Sequence, residues 1–518
     1  MGSLSSEASN ALIYCTFGAF LISGCYIAWI FRQQSKMDFL HSNRTQTAIP
    51  LALNFVASGP LAMGSAILFT YPEIGTLAGV QGVVTYAACS ALPLMIFPVL
   101  APMIRKKNPE GFLLTMWVRE RFGTLASLYL SFLTLATMFL YMVAELSGVG
   151  QVINTLTGLD PLPVIIVEVV VTSIYTALGG FRVSFVTDNI QGTVIGILII
   201  ICSIAIGTST SIDTSKIEPS GLTKPSLLGY QLIYILLIGI IFADMFLSNF
   251  WMRAFASKTD KDLWIGCTIA SVTVFFILLL VGCTGFVAAW AGVWTPPEYG
   301  GLAFFLLLEK LPSWVIGFVV VMVIALSCAV FDSLQSAMVS TASNDLFRNR
   351  FPLMAIRGMV VLVIIPVIIL AIKAPSILTI FLISNIFACA TMPPLLLGLS
   401  DVFYFLNGFD VIFGALGGLL SVWIFGTIYY GDAHEGAKLL ILTGGLYASD
   451  WSVFGVFMVA PGGSLVFTAI GVLLRIVFRS GQSKFQGRRF DVFDRSPASC
   501  HEQPTMKSTD DVRSYGVA

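Results

Sequence analysis

Apolar runs long enough to form bilayer-spanning helices recur from one end of this chain to the other, separated by short polar stretches. Thirteen of them predict membrane-crossing helices: 10–31, 49–70, 76–104, 123–153, 161–178, 187–207, 228–252, 264–292, 314–346, 354–373, 376–398, 410–430 and 452–477. About 20 apolar residues suffice to cross a bilayer. Several runs exceed that, so tilted or overhanging helices are expected. The connections are short, and no soluble domain is inserted among them. The pattern predicts an all-α polytopic membrane protein of about 13 transmembrane helices.

Two runs are interrupted from within. Backbone in lipid must satisfy its own hydrogen bonds, so irregular stretches survive only beside protein or a water-filled cavity. Run 49–70 contains SGPLAMGS at 58–65. Pro60 removes a helical hydrogen bond there, and Gly59 and Gly64 tolerate unusual dihedrals. Run 228–252 contains ADMFLSNF at 243–250, which places Asp244, Ser248 and Asn249 inside an apolar helix. A spacing of four puts Asp244 and Ser248 on one face. Counted from 49–70, the interrupted helices are the first and the sixth. That is the arrangement of a 5+5 inverted repeat, whose broken helices meet near the midplane to form a substrate site. The core repeats then cover approximately 49–207 and 228–398, within a transmembrane domain of residues 1–480.

Composition supports the membrane reading and narrows the chemistry. The 518 residues are 57% hydrophobic and 11% charged, against roughly 25% charged in a soluble domain. Net charge is zero, so nothing points to a nucleic-acid partner. All but five of the 28 Lys and Arg residues fall in 32–48, 105–121, 179–186, 253–263, 347–357 and the tail from 475. The exceptions are Lys216, Lys224, Lys310, Lys373 and Lys438. The positive-inside bias then puts the N-terminus outside and the C-terminus in the cytoplasm, in a multi-pass protein of the plasma membrane. Residues 481–518 are polar and read as a disordered cytoplasmic tail. The nine cysteines are scattered and only three histidines occur. No metal cluster, phosphate loop or nucleophile–base pair is recognisable, so no enzyme, no resident cofactor and no obligate protein partner is expected.

Four carboxylates lie well inside the predicted spans: Glu145, Glu168, Asp244 and Asp332. Each is either a buried acid neutralised by a proton or a neighbouring hydroxyl, or part of a pathway. Asp332 belongs to a helix crowded with small and hydroxyl residues, SCAVFDSLQSAMVSTASND, which suits close packing and polar lining. The stretch LGGFRVSFVTDNIQG (178–192) reads as a turn between two spans. Gly179 and Gly180 end one helix, and Thr187 or Asp188 caps the next.

TALGGFRVSFVTDNIQG (176–192) also resembles the Thr-x-x-Gly-Gly…Thr-Asp-x-x-Gln signature of the sodium/solute symporter family. MRAFASKTDKD (252–262) is similar to its Gln-Arg-x-x-Ala-x-Lys loop. DSLQSAMVSTASNDLF (332–347) is similar to its Asp-Ser-x-Leu…Asp-Ile/Leu-Tyr helix end. The resemblance covers roughly residues 10–480 and leans toward the fungal and plant urea-transporter branch. It implies the leucine-transporter fold and a sodium site built from backbone carbonyls at Ala62 and Ser65, together with positions Leu326, Ala329 and Val330. The family's hydroxyl pair is missing at the last two, and Ser327 and Asp332 are the nearest replacements. A single carboxylate can carry a proton, so the expected coupling ion shifts from Na+ to H+. The resemblance also implies that Asp188 lies near the inner cation exit.

The expected function is import of a small polar organic solute, urea- or polyamine-like, by proton-coupled alternating access. The expected solute contacts are Phe69, a carry-over from the family's sugar-contacting position, with Asp244, Ser248, Asn249, Ser384 and Asn385. An acid in the pocket suits a cationic or amide-rich solute better than an anion. Sodium-coupled uptake of proline, a sugar or a nucleobase is the alternative within transport, and a non-transporting nutrient sensor is the alternative outside it. The expected partners are that solute and membrane lipid.

Overall fold

The computed structural model describes residues 5–33, 39–58, 64–348, 350–373, 377–443, 445, 450–486 and 492–493. Ala62, most of the expected unwound stretch and almost all of the tail lie outside the described residues. Helices dominate: α1 (Ser6–Ile30), α2 (Ala48–Ser58), α3 (Ile67–Leu77), α4 (Gly79–Lys107), α5 (Leu114–Phe122) and α6 (Thr124–Thr157) come first. They are followed by α7 (Pro161–Ser209), α8 (Leu227–Phe246), α9 (Ser248–Ala256), α10 (Asp260–Trp290) and α11 (Ser313–Thr341). Last come α12 (Leu353–Lys373), α13 (Ile377–Leu397), α14 (Gly408–Tyr430) and α15 (Ser452–Gln486). Among the described residues, ten helices are long and apolar enough to cross a membrane. Ile22, Leu125, Phe132 and Ile428 are among the large apolar side chains left facing outward, as lipid contact allows.

α11 is the axis of the bundle. Its apolar window is 78% buried, against 28% for the peripheral α1. It packs on α7, α6, α2 and α9, while α10 packs on α2, α3 and α4. The outer pair α14 and α15 is tied by the Arg475–Asp410 ion pair at 2.8 Å. Arg121 anchors the end of α13 by donating to the carbonyls of Phe403 (2.8 Å), Leu406 (3.0 Å) and Gly398 (3.3 Å). A cation there also complements the helix C-terminus.

The expectation at 178–192 is met in part. Gly179 and Gly180 do end one helix: α7 is two helices that meet directly at Gly180, which has φ 63 and ψ −155. The bend needs glycine, because the conformation is left-handed and a Cβ would collide with the carbonyl of Phe39. The second helix begins at once, so Thr187 and Asp188 sit inside it and do not cap it. The Thr187 hydroxyl instead donates back to Val183 O and Ser184 O. These polar residues face protein, which is why the sequence pattern places the start of the second helix too late.

The two expected interruptions fall as follows. The first lies mostly outside the described residues; at its far edge Gly64 has φ 48, and α3 follows from Ile67. α8 and α9 meet at Leu247, an extended residue with φ −81 and ψ 120. Because the break lies between Asp244 and Ser248, they occupy two different half-helices and do not share a face.

At the end of the bundle that carries most of the basic residues, α2 and α9 are joined by backbone. Arg44 N–H donates to Phe255 O (3.0 Å), Thr45 N–H to Ala256 O (2.9 Å) and Lys258 N–H to Gln46 O (2.7 Å). These two half-helices form one mechanical unit.

Candidate functional site

Buried acids gather in two places. In the first, α7, α9 and α11 bring together Asp188, Arg253 and Asp332, all almost fully buried. Asp188 Oδ2 pairs with Arg253 Nη2 at 3.0 Å and accepts from Asn54 Nδ2 (3.1 Å) and Ser333 Oγ (3.0 Å). Arg253 also donates to Asn54 Oδ1, to Ser333 Oγ (2.6 Å) and to Asn249 O (2.8 Å). Asp332 accepts from Tyr175 OH (2.7 Å), Ser184 Oγ (2.7 Å) and Thr187 Oγ1 (3.3 Å). Ser333 lies between the two acids. Each acid accepts several hydrogen bonds, and a guanidinium balances part of the charge. Buried charge survives on those terms.

The second place has acids with no basic partner among the described residues. Asp244, in the last turn of α8, is 6% exposed and has no hydrogen-bond partner among the described residues. It lies within electrostatic reach of the Tyr71 and Tyr141 hydroxyls. Tyr71 stacks on Tyr86 with ring centroids 4.2 Å apart, and Tyr141 meets Phe381 edge-on at 4.7 Å. Asn385 packs against Gly239, little more than a turn from Asp244 along α8. Ser384 Oγ and Asn385 Oδ1 are likewise buried without a partner among the described residues.

One turn beyond Tyr141 on α6 sits Glu145, fully buried. Its Oε1 accepts from the backbone N–H of Ser65 (3.1 Å) and from Ser65 Oγ (3.0 Å). Its carboxylate lies so close to Gly64 that a Cβ there would collide with it. Glu145 therefore occupies the N-terminus of the half-helix that leads into α3, where free N–H groups and the helix dipole favour an anion. Glu168, from the first limb of α7, accepts from Ser327 Oγ.

Of the expected ion-coupling positions, the structure thus joins Ser65 to Glu145 and Ser327 to Glu168, while Leu326 and Ala329 are fully buried apolar neighbours. Asp332 and Asp188 belong to the separate Arg253 network. Among the expected solute contacts, Asp244, Ser384 and Asn385 keep unsatisfied atoms. Phe69 is covered by Phe305, at 4.7 Å between centroids. Ser248 Oγ accepts from Thr341 Oγ1 at 3.0 Å, and the carbonyl of Asn249 accepts from Arg253. Sequence reasoning missed the role of Arg253, which it placed in a loop motif, and the partnership of Glu145 with Ser65. Both depend on contacts across 65 or more residues, which leave no local trace.

Compared with known proteins, residues 39–404 match the sodium:solute symporter family. The chain belongs to that family. Over 96% of its length it is 51% identical to the spermidine transporter DUR31 of Candida albicans, of which it covers 95%. To the probable urea active transporter 1 of Schizosaccharomyces pombe it is 29% identical, over 34% of this chain and 28% of that protein. Its fold resembles that of a solved Na+-coupled sialic acid symporter, with TM-score 0.68 and 18% identity over 88% of this chain and 96% of that one. The symporter chain is therefore a multi-pass membrane transporter of leucine-transporter fold, not an enzyme, and it moves a small-molecule solute.

Proposed function

We propose that this symporter imports a polyamine-class cation by alternating access, with Asp244 holding one ammonium group and a proton as the coupling ion. The observation that supports it best is the buried, unpartnered carboxylate of Asp244 at the break between α8 and α9. A carboxylate in that setting needs a cation, and the surrounding tyrosines offer the electron-rich faces that ammonium groups favour. Glu145 adds a reason against anionic solutes. In this fold the N-terminus of a broken half-helix receives an anionic substrate group, and here the chain's own Glu145 fills it. Urea, being neutral, would leave Asp244 uncompensated. The name of the Candida albicans relative points the same way.

The core is read as a 5+5 inverted repeat within thirteen crossings, counting α7 as two and α2 with α3 as one. The N-terminus is outside and the C-terminus cytoplasmic, in the plasma membrane. Proton coupling is favoured because Ala329 and Val330 supply no side-chain oxygen to a hard cation.

The test is initial uptake of labelled spermidine by cells expressing the chain, at two external pH values, with and without sodium, against competing putrescine, urea and proline. Uptake should rise on acidification, ignore sodium and yield to putrescine alone. Competition by urea or proline, or dependence on sodium at constant pH, would contradict the reading.

A further inference from the structure

We propose that Glu145 and Glu168 together hold the coupling proton, in place of the Asp332 position that the sequence favours. This deepens the proton-coupled reading above and rests on it. The two acids enter the bundle from α6 and from the first limb of α7, and both are fully buried. Ser327 donates to Glu168, and Glu145 lies within electrostatic reach of Glu168. One oxygen of each acid is satisfied, by Ser65 or by Ser327. The other, Oε2 in both cases, is buried with no partner among the described residues.

No basic side chain pairs with either acid among the described residues. The titratable group facing them from α11 is Cys328, with Asp332 one turn further along and acting on the same thiol. α2 carries no titratable residue. On α1, Cys25 adjoins Gly24, which abuts Tyr175, two turns beyond Glu168.

Two neighbouring carboxylates in a low-dielectric interior cannot both stay ionised without a counter-charge. One proton on either Oε2 removes the repulsion and supplies a donor where two acceptors stand idle. The half-helix N-terminus and the two Ser65 donors favour the ionised form of Glu145, which leaves Glu168 as the group that takes the proton. Asp332 is the poorer carrier, since Tyr175, Ser184 and Thr187 already donate to it. The proton comes from water and returns to water, so no bond is made or broken elsewhere. Its effect on transport runs through Glu145, which grips Ser65 and lies against Gly64. The hold on the half-helix facing the solute therefore changes with the charge of the pair.

The experiment uses the full chain in proteoliposomes with labelled spermidine, comparing accumulation driven by a pH gradient with counterflow, which needs no gradient. Glu168→Gln should lose at least tenfold in gradient-driven accumulation, keep counterflow and show a flat pH profile. Ser327→Ala, which keeps both acids, should shift the pH of half-maximal uptake by about one unit. Gradient-driven accumulation retained in Glu168→Gln, or an unshifted profile in Ser327→Ala, would overturn the assignment. So would a sodium requirement that Glu168→Gln abolishes, since the pair would then hold sodium. Counterflow absent from the unaltered chain would overturn the polyamine reading, and this one with it.

Discussion

The two groups of buried acids differ in one respect that decides their chemistry. Asp188 and Asp332 accept several hydrogen bonds and lie beside Arg253, whereas Asp244, Glu145 and Glu168 have no basic partner among the described residues. A hydrogen-bonded network around a guanidinium fixes geometry: it links α7 to α9 and α11 through buried side chains. An unsatisfied acid is costly until something cationic arrives. The first group thus behaves as a latch and the second as a place for ligands. The backbone strap between residues 44–46 and 255–258 reinforces the latch, because α2 and α9 then move together.

The largest effect expected from breaking this contrast is at Arg253. Arg253→Ala leaves Asp188 buried without its guanidinium, at a cost of about 3–5 kcal/mol. Thermal unfolding in detergent should show a strongly lowered midpoint or no folded protein. The double variant Asp188→Leu with Arg253→Met should recover much of that stability, which would mark the pair as a device for shape rather than for ligand binding. Next comes Tyr175→Phe, which removes one donor from Asp332 and should cost about 1–3 kcal/mol. Ser333→Ala, with a hydroxyl shared between the two acids, should cost about 1 kcal/mol by the same measurement. The smallest effect is expected at the exposed Lys438–Glu435 pair, where Lys438→Ala should change stability by less than about 0.5 kcal/mol. A Lys438 effect as large as that of Arg253 would remove the basis for separating latch from surface.

Much of the fold was legible because lipid imposes a simple rule on sequence: long apolar runs are helices. The break at Leu247 was legible too, since the polar cluster around Asp244 breaks that rule locally. What misled was polarity directed inward. Thr187 and Asp188 read as the cap of a new helix, yet they lie within α7 and face Asp332 and Arg253. Asp244 and Ser248 read as one face, yet the backbone breaks at Leu247 between them. The candidate site was half legible. Asp244, Ser384 and Asn385 stood out as polar residues in apolar helices, but the partners that separate a satisfied acid from an unsatisfied one are distant in the chain. Arg253 is the sharpest case, because its motif suggested a loop while its side chain is buried against Asp188 and Asn54.

The most direct test of the contrast is the initial rate of labelled spermidine uptake by Asp244→Asn, measured beside its amount at the cell surface. Losing one partner of a buried charge pair costs about 2–5 kcal/mol. Uptake at low spermidine concentration should therefore fall at least about 30-fold while the surface amount stays unchanged. Uptake equal to that of the unaltered chain would contradict the claim that the unpartnered acid is where the solute binds.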